Sequence, residues 1–165
     1  MKEDEGIDLV GDLSDENFRN EVKKLKPKLI LCNNILMYLN KNTRKELSKI
    51  LFEILDENGY LIITNSLVFP PSPDPVEAYY RATPEKMYKS LFTNFYLIDQ
   101  NIAKTEYSFY KFLKSKPKLI LIKIIRFFLF LFKSKEWWFM MKYYLFDLKK
   151  NYSSTCLLLK KENNG

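Results

Sequence analysis

The sequence predicts an α/β fold with a mostly parallel sheet, and three observations carry that prediction. Leu29-Ile30-Leu31 follows Pro27 as an apolar run, short enough for a buried strand and too short for a stable helix. Leu47, Ile50, Leu51, Ile54 and Leu55 then recur at helical spacing and form one apolar stripe. Tyr60-Leu61-Ile62-Ile63-Thr64 is a second continuously apolar strand. Two such strands joined by a helical crossover make a parallel βαβ unit over residues 28–64. Their continuous apolarity predicts cover on both sheet faces, with Leu29, Ile30, Leu31 and Ile62 buried. Asn42 or Thr43 is placed to cap the helix, and Asn58-Gly59 to stop it, glycine entering the left-handed region without a Cβ clash.

The other elements follow in order. Ile7-Asp8-Leu9-Val10 reads as a short strand, with Gly11-Asp12-Leu13 the turn out of it. Ser14 is a candidate N-cap for a helix through about Leu25, whose buried side would hold Phe18, Val22 and Leu25. After Thr64, residues 65–81 contain Pro70, Pro71, Pro73 and Pro75, which predicts a stiff, extended loop. Thr83-Pro84-Glu85 opens a helix with Thr as N-cap and Pro at its first position. Met87, Tyr88, Leu91 and Phe92 give that helix its apolar face, and residues 94–99 read as turn and strand. Residues 153–160 close the chain as a strand, followed by a polar tail.

Between these last strands the chain changes character. Leu119 to Phe132 is fourteen residues in which only Lys123 and Arg126 are polar. A membrane-spanning helix needs roughly 20 apolar residues, so this run is too short to cross alone. Trp137-Trp138-Phe139-Met140-Met141 follows, and Tyr143, Tyr144, Leu145 and Phe146 continue the pattern. Basic flanks with aromatic ends describe an interfacial helix pair meeting an anionic membrane surface. The alternative is a helical lid buried on the protein's own core. Nucleic acid is the weakest fit, because so long an apolar run suits a phosphate backbone badly. The organisation is therefore an α/β core over residues 1–106, a helical insertion over 107–150, and a last core strand with tail over 151–165.

Composition narrows the chemistry. With 165 residues, 47% of them hydrophobic, the chain is one domain able to bury a core. Histidine is absent, which removes His-based hydrolytic triads and His-ligated metal sites. Cys32 and Cys156 make no disulfide framework and suit reduced core positions in a cytoplasmic protein. Met1 is followed by Lys2-Glu3-Asp4-Glu5 rather than by the apolar run of a secretory signal. The net charge of +7 is uneven: residues 1–100 carry 13 Lys/Arg against 16 Asp/Glu, whereas residues 101–150 carry 12 against 3. An anionic partner would be met through the second region, which leaves a cytoplasmic protein that is peripheral at a membrane.

The stretch LILCNNILMYL, a helix, and then LDENGYLIIT is similar to the fourth and fifth strands of class I methyltransferases, the Rossmann-like enzymes that depend on S-adenosylmethionine. The helix and strand of residues 83–99 resemble that family's sixth strand and the helix before it. Residues 153–160 resemble its seventh strand, which is inserted antiparallel to its neighbours. This resemblance implies S-adenosylmethionine as cofactor, with Asp12 and the backbone of Leu13 at the adenine and Asn33 and Asn34 at the amino-acid end. Outside the resemblance, Asp12 could simply cap a turn, and Asn33 and Asn34 could cap backbone groups. Tyr38, Asn65, Tyr79, Tyr80 and Arg81 border the expected mouth as candidate substrate contacts. No residue stands out as a catalytic base, and no metal set is visible.

The chain departs from that family upstream. Its glycine-rich loop should precede Ile7, yet the four glycines at 6, 11, 59 and 165 form no G-x-G pair. The resemblance thus begins at about the third strand and leaves a sheet edge bare. The expectation is either a truncated product or a surface covered by another polypeptide or a second copy. Two functions remain: methyl transfer to an unidentified, lipophilic small molecule, or a non-catalytic binding or assembly module that keeps this part of the fold.

Overall fold

The computed structural model describes residues 9–70, 77–116, 139 and 141–162. Helix α1 (Glu16–Lys24) leads into strand β1 (Leu29–Asn33), helix α2 (Lys41–Ile54) and strand β2 (Tyr60–Val68). Helix α3 (Pro84–Leu91), strand β3 (Tyr96–Ser108) and the short helix α4 (Phe109–Ser115) follow. A π-helical turn at Tyr143–Asp147 precedes the last strand, β4 (Asn151–Lys160). The run from Leu119 to Phe132, Lys123 and Arg126 within it, and Trp137-Trp138 lie outside the described residues, as do Ile7 and Asp8.

The sheet has the order β1-β2-β4-β3. Strand β1 pairs parallel with β2, from Leu29 opposite Tyr60 to Asn33 opposite Thr64. Strand β4 runs antiparallel to β2 on one side and to β3 on the other. Strands β1, β2 and β3 therefore point the same way, with one reversed strand inserted between the second and third. A last strand inserted antiparallel to its neighbours is what the resemblance implied. The βαβ unit over residues 28–64 is present as expected.

The core lies between the sheet and its helices. Leu61 and Ile63 of β2 and Leu157 and Leu159 of β4 are wholly buried in one cluster with Leu47, Ile50, Leu51 and Ile54 of α2. Met87 of α3 and Phe92 complete it. Burying each such aliphatic side chain contributes about 1.5–3 kcal/mol. Among the described residues the opposite sheet face is less covered: Leu29 is 53% exposed and Leu31 60%, while Tyr60 and Tyr96 are also exposed and Ile62 is half-buried. The expectation of two covered faces fails here. Strand pairing orders β1 whatever lies on its second face, so its apolarity marks the need for cover rather than cover supplied by the described residues.

Smaller corrections have local causes. Helix α1 is capped not by Ser14 but by Asp15, whose side chain accepts from the Asn17 N–H, while the Ser14 N–H donates to the Asp12 side chain (2.8 Å) in the turn before it. Phe18 and Val22 are only half-buried and Leu25 is exposed. Helix α2 is capped not by Asn42 or Thr43 but by Asn40, whose side chain accepts from both of their N–H groups. After α2 the left-handed residue is Asn58 (φ 58°) rather than Gly59. Gly59 is needed for another reason, since a Cβ there would sit 2.8 Å from the Asp56 carbonyl oxygen. Leu9 and Val10 form no strand, and among the described residues the outer edge of β1 offers them no ladder. Strand β3 reaches Ser108, well past residue 99, because it pairs with the whole length of β4.

Candidate functional site

The carboxyl ends of β1 and β2 converge on a cavity of about 460 Å³. Parallel strands present their ligand crevices at this end. Asn34, Met37 and Tyr38 line it from beyond β1, and Ser66, Phe69 and Pro70 from β2 and its exit. Because β4 is reversed, its first residues, Tyr152, Ser153 and Ser154, reach the same end, opposite Ala103, Lys104 and Thr105 of β3.

The floor is held by side chains as well as by the ladder. Asn34 adopts the left-handed region (φ 54°), which Asn tolerates better than most residues. There its N–H donates to the Thr64 carbonyl (3.0 Å), and its side-chain oxygen accepts from the Ser66 hydroxyl (3.3 Å). The Asn33 side chain accepts from the Thr64 hydroxyl (3.1 Å). Both asparagine side chains thus accept hydroxyl groups across the β1–β2 pair, and Asn34 also lines the cavity. Tyr38, exposed at the mouth, lines the cavity as well.

The remaining expected substrate contacts are engaged elsewhere. Asn65 is fully buried, and its amide donates to the carbonyls of Tyr80 (3.0 Å) and Ser66 (3.2 Å). It fastens the returning loop to β2. Tyr80 lies beneath the Arg44 guanidinium, 4.1 Å from ring centroid to Cζ. Arg81, with only a tenth of its side chain exposed, pairs with the wholly buried carboxylate of Glu77 and lies over the Phe139 ring. Tyr79, in the left-handed region, stacks on that same ring at 4.7 Å. None of these four residues lines the cavity.

Sequence reasoning missed the contribution of β4 and β3. The signal was the run Ser153-Ser154-Thr155 at the head of a strand whose direction is reversed. Reversal puts small polar residues beside the carboxyl ends of the parallel strands. Among the described residues Lys104 is the one charged side chain that lines the cavity. Burial raises the Tyr152 phenol above its ordinary value, so at neutral pH it serves as a hydrogen-bonding group and not as a base. Lys104 suits an anionic group, and Phe69 and Tyr152 suit an apolar or aromatic body.

The fit to S-adenosylmethionine is partial. Asp12 is exposed, and its carboxyl lies below the ordinary range because it accepts the Ser14 N–H. The adjoining Gly11 is packed so closely by the Phe18 ring that a Cβ would meet it at 2.2 Å. Among the described residues no group of three Cys, Asp or Glu could hold a metal ion.

No family model and no curated protein matches the chain. Solved structures do. Phosphoethanolamine N-methyltransferase 2 of Haemonchus contortus, in complex with phosphomonomethylethanolamine and S-adenosylhomocysteine, is 15% identical with a TM-score of 0.44; the match covers 84% of this chain and 35% of that one. The cyclase SpnF is 12% identical with a TM-score of 0.48, covering 82% and 49%. Coclaurine N-methyltransferase bound to N-methylheliamine and S-adenosylhomocysteine is 11% identical with a TM-score of 0.43, covering 81% and 48%. The chain spans about a third to a half of the length of these structures. The strand order, and not these superpositions, carries the likeness.

Proposed function

We propose that this chain supplies the acceptor side of an S-adenosylmethionine-dependent methyl-transfer site. The observation that carries the reading is the reversed strand β4 between β2 and β3, with the cavity at the carboxyl ends of β1 and β2. In this reading the cofactor brings an electrophilic sulfonium methyl. Asn33 and Asn34 meet its amino-acid end, and Asp12 and the Leu13 backbone meet its adenine. The cavity orients the acceptor: Ser66, Ser153 and the Asn34 amide hydrogen-bond it, Phe69 and Tyr152 pack its body, and Lys104 receives an anionic group. Catalysis is mainly positioning, which asks no histidine of the protein.

Contacts at the two ends alone support weak binding, about −4 kcal/mol or millimolar. Equilibrium dialysis of the purified chain with labelled S-adenosylmethionine tests this. Saturable millimolar binding is the expected result. Micromolar binding would contradict the half-site reading, since it requires a cradle that these residues do not form. The absence of G-x-G and the open sheet face favour a second reading, a binding or assembly module without catalysis. No binding at several millimolar would select that second reading.

A further inference from the structure

Helix α4 and the π-helical turn form one surface. The Tyr110 N–H donates to the Leu148 carbonyl (3.1 Å), and the Phe109 ring meets those of Tyr143 and Tyr144 at about 6 Å (6.1 and 6.0 Å). Phe109 and Tyr143 are buried between the two elements. What these elements and the end of β3 turn outward is apolar all the same: Tyr107, in β3, is 71% exposed, Leu145 and Phe146 are each 69% exposed, and Tyr110 and Phe112 of α4 are exposed as well. A monomer has no reason to present five such side chains together.

Ammonium groups lie against these rings. The Lys116 ammonium lies 5.5 Å from the Phe112 ring, and that of Lys149 lies 5.9 Å from the Tyr110 ring, bridging the two elements. The Asp147 carboxylate is neutralised by Lys150 at 2.7 Å. Apolar tips interleaved with ammonium groups match a layer whose outer part is anionic and whose inner part is hydrocarbon. Nucleic acid would answer the lysines and could stack on the rings, but the exposed aliphatic side chain of Leu145 offers it no stacking face, whereas hydrocarbon accepts both kinds of side chain. Among the described residues no helix is long and apolar enough to cross a membrane.

We infer that the surface built by α4 and the π-helical turn docks on an anionic lipid bilayer, with Tyr107, Tyr110, Phe112, Leu145 and Phe146 inserted and Lys116 and Lys149 at the headgroups. The inference stands apart from methyl transfer, because it uses no cavity residue. The two sites adjoin, however: Thr105, which lines the cavity, donates its hydroxyl to the Tyr107 carbonyl (3.1 Å). An acceptor dissolved in the bilayer would therefore meet the cavity mouth at the membrane.

The test is flotation of the full chain with phosphatidylcholine vesicles, with and without phosphatidylglycerol, at low and high salt. Binding is expected to the anionic vesicles at low salt and to fall with salt. Lys116→Glu with Lys149→Glu should weaken it at least about tenfold. Leu145→Ser with Phe146→Ser should weaken it at both salt concentrations, with an unchanged thermal melt because both side chains are exposed. No flotation with anionic vesicles at low salt would overturn the inference. So would binding that survives both double variants. A shift of labelled single-stranded RNA without vesicle binding would likewise overturn it and reassign the lysines to nucleic acid.

Discussion

Leu61 and Leu31 make a matched pair in which one substitution should separate the two faces of the sheet. They sit on adjacent parallel strands, and Leu31 pairs with Ile62, the next residue after Leu61. Leu61 is 0% exposed within the α2-facing cluster, whereas Leu31 is 60% exposed on the opposite face. Leu61→Ala removes buried methyl groups and leaves a cavity, at a cost of about 2–5 kcal/mol. Leu31→Ala loses only the fraction of its transfer energy that burial had realised, below about 1 kcal/mol. Urea unfolding followed by circular dichroism reads both. With a slope of about 1–3 kcal/mol per M, Leu61→Ala should lower the midpoint by about 1–2 M and Leu31→Ala by a few tenths. Slopes should match the parent's, so that midpoint shifts report stability. Equal shifts for the two variants would refute the reasoning, because they would mean that the second face of β1 is packed.

Two further outcomes follow from buried polar and titratable groups. Glu77→Ala leaves the Arg81 guanidinium without its carboxylate in a nearly closed site, and should destabilise by about 3–5 kcal/mol, read as a lower thermal midpoint. Burial raises the Cys32 thiol from its ordinary 9.0 to about 11. At pH 8 only about one Cys32 in a thousand is then thiolate, so iodoacetamide labelling mapped by mass spectrometry should find Cys156, on the open face, modified well before Cys32. The sign for stability follows from the same shift. The native state holds the Cys32 proton more tightly than the unfolded chain does, so stability falls as the pH rises from about 9 to about 11.

Much of the fold could be read from the sequence because its signals are local. The stripe from Leu47 to Leu55 and the Thr83-Pro84 start each specify an element through nearest neighbours. The reversed direction of β4 followed only from the resemblance, since Cys156-Leu157-Leu158-Leu159 has no vector of its own. Burial was less legible. Leu29-Ile30-Leu31 is apolar at every position, but what packs on each face depends on elements distant in sequence. The site was half legible for the same reason. Asn34 and Tyr38 lie next to a recognisable strand end, whereas Lys104, Thr105 and Ser153 reach the cavity only through the β3–β4 pairing. Asn65, Tyr80 and Arg81 were placed at the mouth by sequence position, yet the polar groups of a returning loop are consumed in holding the loop down.

The central claim, that the β1 tip and the turn before α1 meet the two ends of S-adenosylmethionine beside an acceptor cavity, is tested most directly by residue-resolved NMR. Millimolar S-adenosylhomocysteine titrated into the ¹⁵N-labelled chain should shift the amides of Gly11, Asp12 and Leu13 together with those of Asn33 and Asn34. Ser66 and Ser153 should shift less, and the α3 amides Met87 to Leu91 should stay in place. Shifts gathered on α3, or confined to one of the two expected clusters, would contradict the account.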